Sequence, residues 1–405
     1  MGMRRPENPR STGARPRPRW RAARIARLLL GLIIAPLRIL LLLPISLLAL
    51  VAETRSGRMA GVAAIALLSS AACAAVYRSS ESRPAAWEAA AGSAFALAVV
   101  LIIVLLCSIP ARRPHAAFGL RSHVVGKSRP ARHTPADILP EIDQVRLAVT
   151  LGTRLVPWFG RGRGARIREV MTRLYREIHA DPDARALPSL SYLTLAGLIF
   201  GDFDAGRYDV YLPQTEPDER LGAIVFLHGN GGNLKVLPWT WRSFANRHRF
   251  VIVCPTFGFG FWGAGGVSAV DRALSDALRH LPIDPDRVYL AGISDGGKGV
   301  TRSATAHPER YHGLIYVSPT MRQDELAAPA FVEAWRGRPI LVVQGAEDRN
   351  VHKETVDPAV ALLQAQGSDV TYQVFPNEDH FLFFARREEF FQVVQDWMAS
   401  REQDR

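Results

Sequence analysis

The chain has 405 residues, 48% of them hydrophobic and 22% charged, and carries a formal net charge of +12 at pH 7. That length and apolar share suffice for a full-sized core and exclude a disordered or fibrous chain. The positive charge belongs wholly to residues 1–185, with 29 Lys/Arg against 11 Asp/Glu, while residues 186–405 carry 21 against 27.

In chain order, residues 1–27 form a basic tail with nine arginines. Three apolar runs follow, at 28–52, 59–77 and 89–110, making 28–110 a transmembrane region of two or three helices. A span needs about 20 apolar residues. The first run qualifies despite Arg38, Pro36 and Pro44; the second is uncharged but Ala-rich; the third is uncharged throughout. Basic charge beside apolar runs points to a membrane bilayer and not to nucleic acid, because no aromatic-interleaved basic patch accompanies it. A cleavable signal peptide is not expected, since the tail before the first run is long and no small-residue cleavage site follows. The side is undecided. Arginines flank the region at both ends, which argues for two spans and a cytoplasmic remainder, whereas hydrophobicity favours three spans and an outward one.

Residues 111–185 read as a basic linker, irregular to about residue 140, followed by an amphipathic helix. Ile167, Val170, Met171, Leu174 and Ile178 fall on one helical face, with Arg166, Arg168, Arg173 and Arg176 elsewhere. Such a helix either rests on anionic lipid or packs on the following domain with its basic face in water. From residue 186 to 405 the pattern becomes strand and helix in alternation. Residues 189–212 alternate as opening strands, with a turn at 201–206.

The run Ala223-Ile224-Val225-Phe226-Leu227 is continuously apolar, as in a strand buried on both faces. It empties into the Gly-rich loop His228-Gly229-Asn230-Gly231-Gly232-Asn233, whose amides can hold a developing oxyanion. Asn230 is the expected donor, with Gly231 its rival; His228 supports the loop. After the strand at 250–254 comes an aromatic loop in which Phe257, Phe259, Phe261 and Trp262 either line an apolar substrate pocket or pack in the core. The strand ending Val288-Tyr289-Leu290-Ala291 then enters Gly292-Ile293-Ser294-Asp295-Gly296. Gly-x-Ser-x-Gly recurs by chance in a chain with 32 glycines. Its placement between a strand and a helix is what marks a nucleophile elbow, where Gly292 and Gly296 allow strand and helix to touch. The amide of Asp295 is the second expected oxyanion donor.

Two further strands bring partners. Pro339-Ile340-Leu341-Val342-Val343-Gln344-Gly345 is followed by Glu347 and Asp348, of which Asp348 is the better carboxylate and Glu347 the rival. Val370-Thr371-Tyr372-Gln373-Val374-Phe375 is followed by His380, the expected base, with His228 and His352 weaker alternatives. Only some twenty residues join the strands around Ser318 and Arg338, so no large lid is expected there.

With these residues in view, 186–405 resembles an α/β-hydrolase, whose triad follows the chain order Ser294, Asp348, His380. Ile283-Asp284-Pro285-Asp286-Arg287 and His307-Pro308-Glu309-Arg310 resemble the carboxylesterase, polyhydroxybutyrate-depolymerase and prolyl-oligopeptidase-like branches. Gln344 departs from the histidine that many relatives carry before the glycine. The resemblance implies an α/β fold with a mostly parallel central sheet, and a serine hydrolase acting on a small-molecule or lipid-like ester through an acyl-enzyme. A serine peptidase, an acyltransferase or an inactive membrane interaction protein are the alternatives. No metal or organic cofactor is implied. Cys73, Cys107 and Cys254 have no metal-ligand spacing and read as small apolar residues.

Overall fold

The computed structural model describes residues 39–80, 82, 84–108, 118–126, 139–156, 163–187, 206–263 and 265–403. They fall into two compact units, one of the described residues up to Leu47 with those of Gly61–Leu101, the other of Leu48–Ala60 with the described residues from Ile102 onward.

The first unit is built largely from helices α1 (Arg55–Ser79) and α2 (Ala85–Cys107). Both are long and apolar enough to cross a membrane, with mean hydropathy of 2.1 and 2.8 over their most apolar stretches. Ala63, Ala64 and Ala98 are buried, as is Leu105 near the end of α2, while Ile65, Phe95 and Val100 are exposed. The Ser70 hydroxyl donates to the Ala91 carbonyl at 2.8 Å, linking the pair. Small residues between helices and large ones outside is the arrangement lipid favours. The Ala-rich run at 59–77 thus lies within a helix of 25 residues. Of the run at 28–52, residues 39–52 are described, as the shorter apolar helix Ile39–Val51 and Ala52; residues 28–38 and the basic tail lie outside the described residues.

The second unit is centred on an eight-stranded sheet of order β1-β2-β4-β3-β5-β6-β7-β8. The strands are β1 (Gly119–Val124), β2 (Arg207–Leu212), β3 (Leu221–Leu227), β4 (Phe250–Pro255), β5 (Ile283–Ile293), β6 (Gly313–Val317), β7 (Pro339–Gly345) and β8 (Asp369–Phe375). β1 and β2 run antiparallel; β4, β3 and β5 to β8 are parallel. All seven residues of β3 are buried, because helices cover both faces.

Side-chain alternation divides the core in two. Ile224, Phe226 and Ile315 face one layer, with helices α3 (Glu141–Leu155), α4 (Gly164–Ala180) and α5 (Val236–His248). Ala223, Val225, Leu227 and Leu314 face the other, with α6 (Gly266–His280), α7 (Gly296–Ala306) and α8 (Lys353–Ala365). Helix α9 (Arg387–Gln403) returns to the first layer, placing Phe390 and Trp397 there.

One sequence expectation is corrected: the stretch 111–140 is not wholly irregular, since it contains β1, which joins the sheet from upstream of residue 186. β1 was hard to see because an edge strand needs little apolar content: of Gly119-Leu120-Arg121-Ser122-His123-Val124 only Ser122 is buried. It is held by the ladder to β2 and by Arg207, whose Nε donates to Ser122 Oγ at 2.7 Å. The apolar stripe of α4 is also buried in this unit's core. Its packing against α3 and α5 accounts for the stripe, and its arginines face outward or sideways. The expected opening strands at 189–212 are described only as β2; the turn at 201–206 lies almost wholly outside the described residues.

Candidate active site

β5 ends in a turn at which Ser294 takes φ 55°, a left-handed conformation that a non-glycine residue holds only when its surroundings impose it. The turn is close-packed. A Cβ on Gly292 would lie 2.7 Å from the Gly296 carbonyl, and one on Gly296 would lie 2.4 Å from the Leu227 carbonyl. The Ser294 amide donates to the Val317 carbonyl at 3.0 Å, and its own carbonyl accepts from the amides of Gly297 and Thr320, each at 2.9 Å. These bonds tie the elbow to β6 and α7, leaving the side chain partly exposed.

The loops after β7 and β8 are stitched together. The Ala346 amide donates to the Phe375 carbonyl at 3.0 Å and the Glu347 amide to the Glu378 carbonyl at 2.9 Å. Gly345 has no room for a side chain, since a Cβ would lie 2.5 Å from the Glu378 carbonyl. Across this seam His380 Nδ1 lies 2.7 Å from Asp348 Oδ2. The Asp348 side chain is fully buried and that of His380 is 13% exposed. Asp348 Oδ1 accepts from the amides of Asn350 and Val351 at 2.8 and 2.9 Å. Gln344 donates from Nε2 to the Val351 carbonyl at 2.8 Å and so braces the same turn.

Glu347 points elsewhere. It pairs with Arg163 and keeps 45% of its side chain exposed. Arg166 of α4 grips the buried Glu378 through both oxygens, at 2.9 and 2.7 Å. Two arginines from just before and within α4 therefore hold the loops that carry Asp348 and His380. No sequence signal marks this, because 212 residues separate Arg166 from Glu378. His352 is exposed, and its carbonyl accepts from Thr355 at the start of α8. The structure joins Asp348 to His380; among the described residues no hydrogen bond joins Ser294 Oγ to either.

The loop after β3 runs beside the elbow. A Cβ on Gly229 would lie 2.9 Å from Ser294 Cβ, and one on Gly260 would lie 2.3 Å from the Gly229 carbonyl. Gly229 therefore touches the serine and is itself covered by the aromatic loop, a role its position in a Gly-rich stretch only hinted at. Gly229→Ala is expected to displace Ser294 and lower the reactivity of its hydroxyl about 10²-fold with an intact fold, measured as the rate of labelling by a fluorophosphonate beside the melting temperature. The Gly231 amide donates to the Phe259 carbonyl at 2.9 Å, which removes it as a rival oxyanion donor. Among the described residues the amides of Asn230 and Asp295 donate to no backbone carbonyl. The far end of the loop is anchored by Asn233 Nδ2 to the Cys254 carbonyl at 2.8 Å and by the Lys235 amide to buried Glu141 at 2.9 Å.

His228 is buried beneath this loop. Its Nε2 accepts from the Phe257 amide at 3.1 Å, so Nδ1 carries the proton and donates to the Gly229 carbonyl at 2.9 Å. Burial pushes its pKa down to about 4. The unfolded chain takes up that proton near pH 6.5, so the stabilising contribution is whole above 6.5 and is lost as pH falls toward 4. About 3 kcal/mol is at stake. Urea unfolding should show wild type losing that much between pH 7 and pH 4 relative to His228→Gln; parallel profiles would remove the effect.

The aromatic residues divide. Phe257 and Trp262 are core residues, 3% and 1% exposed, with rings stacked 5.4 Å apart, and the indole donates to the His228 carbonyl at 2.8 Å. Of the two readings open for these aromatics, core packing holds for Phe257 and Trp262, which support the loop after β3 from below. Phe259 is partly exposed and Phe261 is 48% exposed, their rings 5.4 Å apart.

Comparison with known proteins agrees with this architecture. Residues 224–336 match the α/β hydrolase family and residues 323–402 the prolyl oligopeptidase family. The first segment contains Ser294, the second Asp348 and His380. A probable carboxylesterase SOBER1-like of Arabidopsis thaliana is 26% identical over 121 residues, 30% of this chain and 45% of its own. The chain thus spans under half the length of that relative. Among solved structures, a thermostable esterase is 20% identical with a TM-score of 0.41, covering 48% of this chain and 58% of its own. The acylaminoacyl peptidase of Pyrococcus horikoshii is 14% identical with a TM-score of 0.40, covering 48% and 39%. The two family matches together run from residue 224 to 402, the stretch that carries β4 to β8 and the turn at Ser294.

Proposed function

We propose that the protein is a membrane-anchored serine hydrolase acting on carboxylic esters. The observation that carries this reading is the buried Asp348–His380 pair on the loops after β7 and β8, in the same unit as a serine held at φ 55° at the end of β5. Ser294 Oγ attacks the acyl carbon, His380 Nε2 takes the hydroxyl proton, and Asp348 fixes the tautomer by accepting from Nδ1. The amides of Asn230 and Asp295 receive the oxyanion. His380 then protonates the leaving alcohol, and water activated by the same ring releases the acid. The Ser294–His380 bond forms when substrate settles; such bonds are often loose in unliganded enzymes. Anchoring is supported by α1 and α2, apolar helices whose large side chains face outward.

The match of residues 323–402 to the prolyl oligopeptidase family favours one other reading, cleavage of an acylated peptide by the same residues. The test is labelling of the full-length protein with a fluorophosphonate, the modified residue located by peptide mapping, followed by turnover of p-nitrophenyl butyrate and of an acylaminoacyl anilide. Labelling at Ser294 with ester turnover supports the proposal. Turnover of the anilide alone would replace it with the peptidase. No labelling would leave an inactive interaction protein.

A further inference from the structure

Five arginines surround one cavity on the second unit, on the face formed by α3 and α4. Arg146 and Arg154 come from α3; Arg168, Arg173 and Arg176 come from α4. The cavity holds about 570 Å³, and Glu169 is the one acidic residue in its lining. A second carboxylate, Glu53, lies close by and binds Arg176 Nε and Nη2 at 2.7 and 2.6 Å, while also pairing with Arg146. Arg168 is held by the Thr153 hydroxyl at 2.7 Å. Arg154 and Arg173 are exposed, with no ion pair among the described residues. Five guanidinium groups thus meet two carboxylates around a space large enough for a ligand.

Like charges so placed repel, and the structure registers it: burial and the charge of Arg176 lower the pKa of Arg146. An anion in the cavity removes that repulsion. All five bases are arginine, whose planar fork matches two oxygens of a phosphate at once. The rim has a second character. Leu50 and Val51 line the cavity, Leu50 is 85% exposed, and Leu155, next to Arg154 in the chain, is 72% exposed. A free phosphate ion has no use for exposed leucines, whereas a headgroup with acyl chains does. Shortly after Val51 the chain enters α1 at Arg55, a helix apolar enough to cross a membrane.

We infer that the cavity between α3 and α4 is a binding site for the phosphate of an anionic phospholipid, with Leu50 and Leu155 meeting its acyl chains. The site is independent of the catalytic reading, since none of its residues belongs to the elbow or the loops of Asp348 and His380. It would seat the second unit at the bilayer surface through a built pocket rather than through diffuse charge.

The test uses full-length protein in a neutral maltoside detergent, titrated calorimetrically with dioctanoyl phosphatidic acid, dioctanoyl phosphatidylcholine and inorganic phosphate. Saturable binding of the phosphatidic acid is expected, weaker binding of the other two, and a loss of roughly 25-fold in Arg154→Gln/Arg173→Gln, about fivefold for each arginine. Both residues are exposed, so the double variant should keep the wild-type melting temperature. Arg247→Gln/Arg336→Gln, the same charge loss at exposed positions outside the cavity lining, should bind as wild type. Equal binding of inorganic phosphate would overturn the lipid assignment. No binding, or equal loss in both double variants, would overturn the site.

Discussion

Ser294→Ala is expected to lower kcat for p-nitrophenyl butyrate on the order of 10⁶-fold and to abolish the pre-steady-state burst. The size follows from how the group acts. A triad works as one unit, and in the serine proteases where this was dissected, loss of the nucleophile costs about as much as loss of the whole triad. Binding and oxyanion contacts remain in the variant, so a residual rate about 10³-fold above water is expected. The backbone argument makes the experiment clean. Alanine meets the same φ of 55° as serine, and the elbow's hydrogen bonds use only main-chain atoms of residue 294. The melting temperature should therefore hold while turnover disappears. Activity within tenfold of wild type would place the chemistry at another residue and end the proposal.

How much of this was legible in the sequence depended on whether the signal was local. β3 and the end of β5 are continuous apolar runs because both faces of the sheet are covered, so their strands could be read directly. Gly292 and Gly296 could be read as well, since one turn both demands and advertises them. The alternation of α4 was also plain, but the pattern cannot say whether an apolar stripe meets lipid or protein. Only the packing of Ile167, Met171 and Leu174 into the core decides that. What stayed hidden is long-range. β1 has an edge strand's polar composition, and the grip of Arg166 on Glu378 joins positions that no local pattern relates. Phe257 and Trp262 stayed open between pocket and core for a related reason: Gly-spaced aromatics look alike in either place. Between Asp348 and Glu347 the sequence offered only a place further into the loop as a reason to prefer Asp348, and the fold adds where the turn aims each carboxylate.

That choice leads to the second large effect. Asp348→Asn is expected to lower kcat on the order of 10⁴-fold, and Glu347→Gln to change it less than about twofold. The asparagine side chain would retain an oxygen for the amides of Asn350 and Val351, so the turn should keep its shape. The group facing His380 Nδ1 would become an NH₂ donor, and two donors cannot share one hydrogen bond. The ring would then place its proton on Nε2, the nitrogen that must accept from Ser294, which is the origin of losses of this size in serine proteases. The defect is one of tautomer and charge, so KM should move little and raising the pH should restore only part of the rate. Glu347 provides the internal comparison: it is one residue away, also a carboxylate, and committed to Arg163 at the surface. Steady-state kinetics of the two variants side by side decide the matter. Equal losses would mean that the turn, rather than the Asp348 carboxylate, is what His380 depends on.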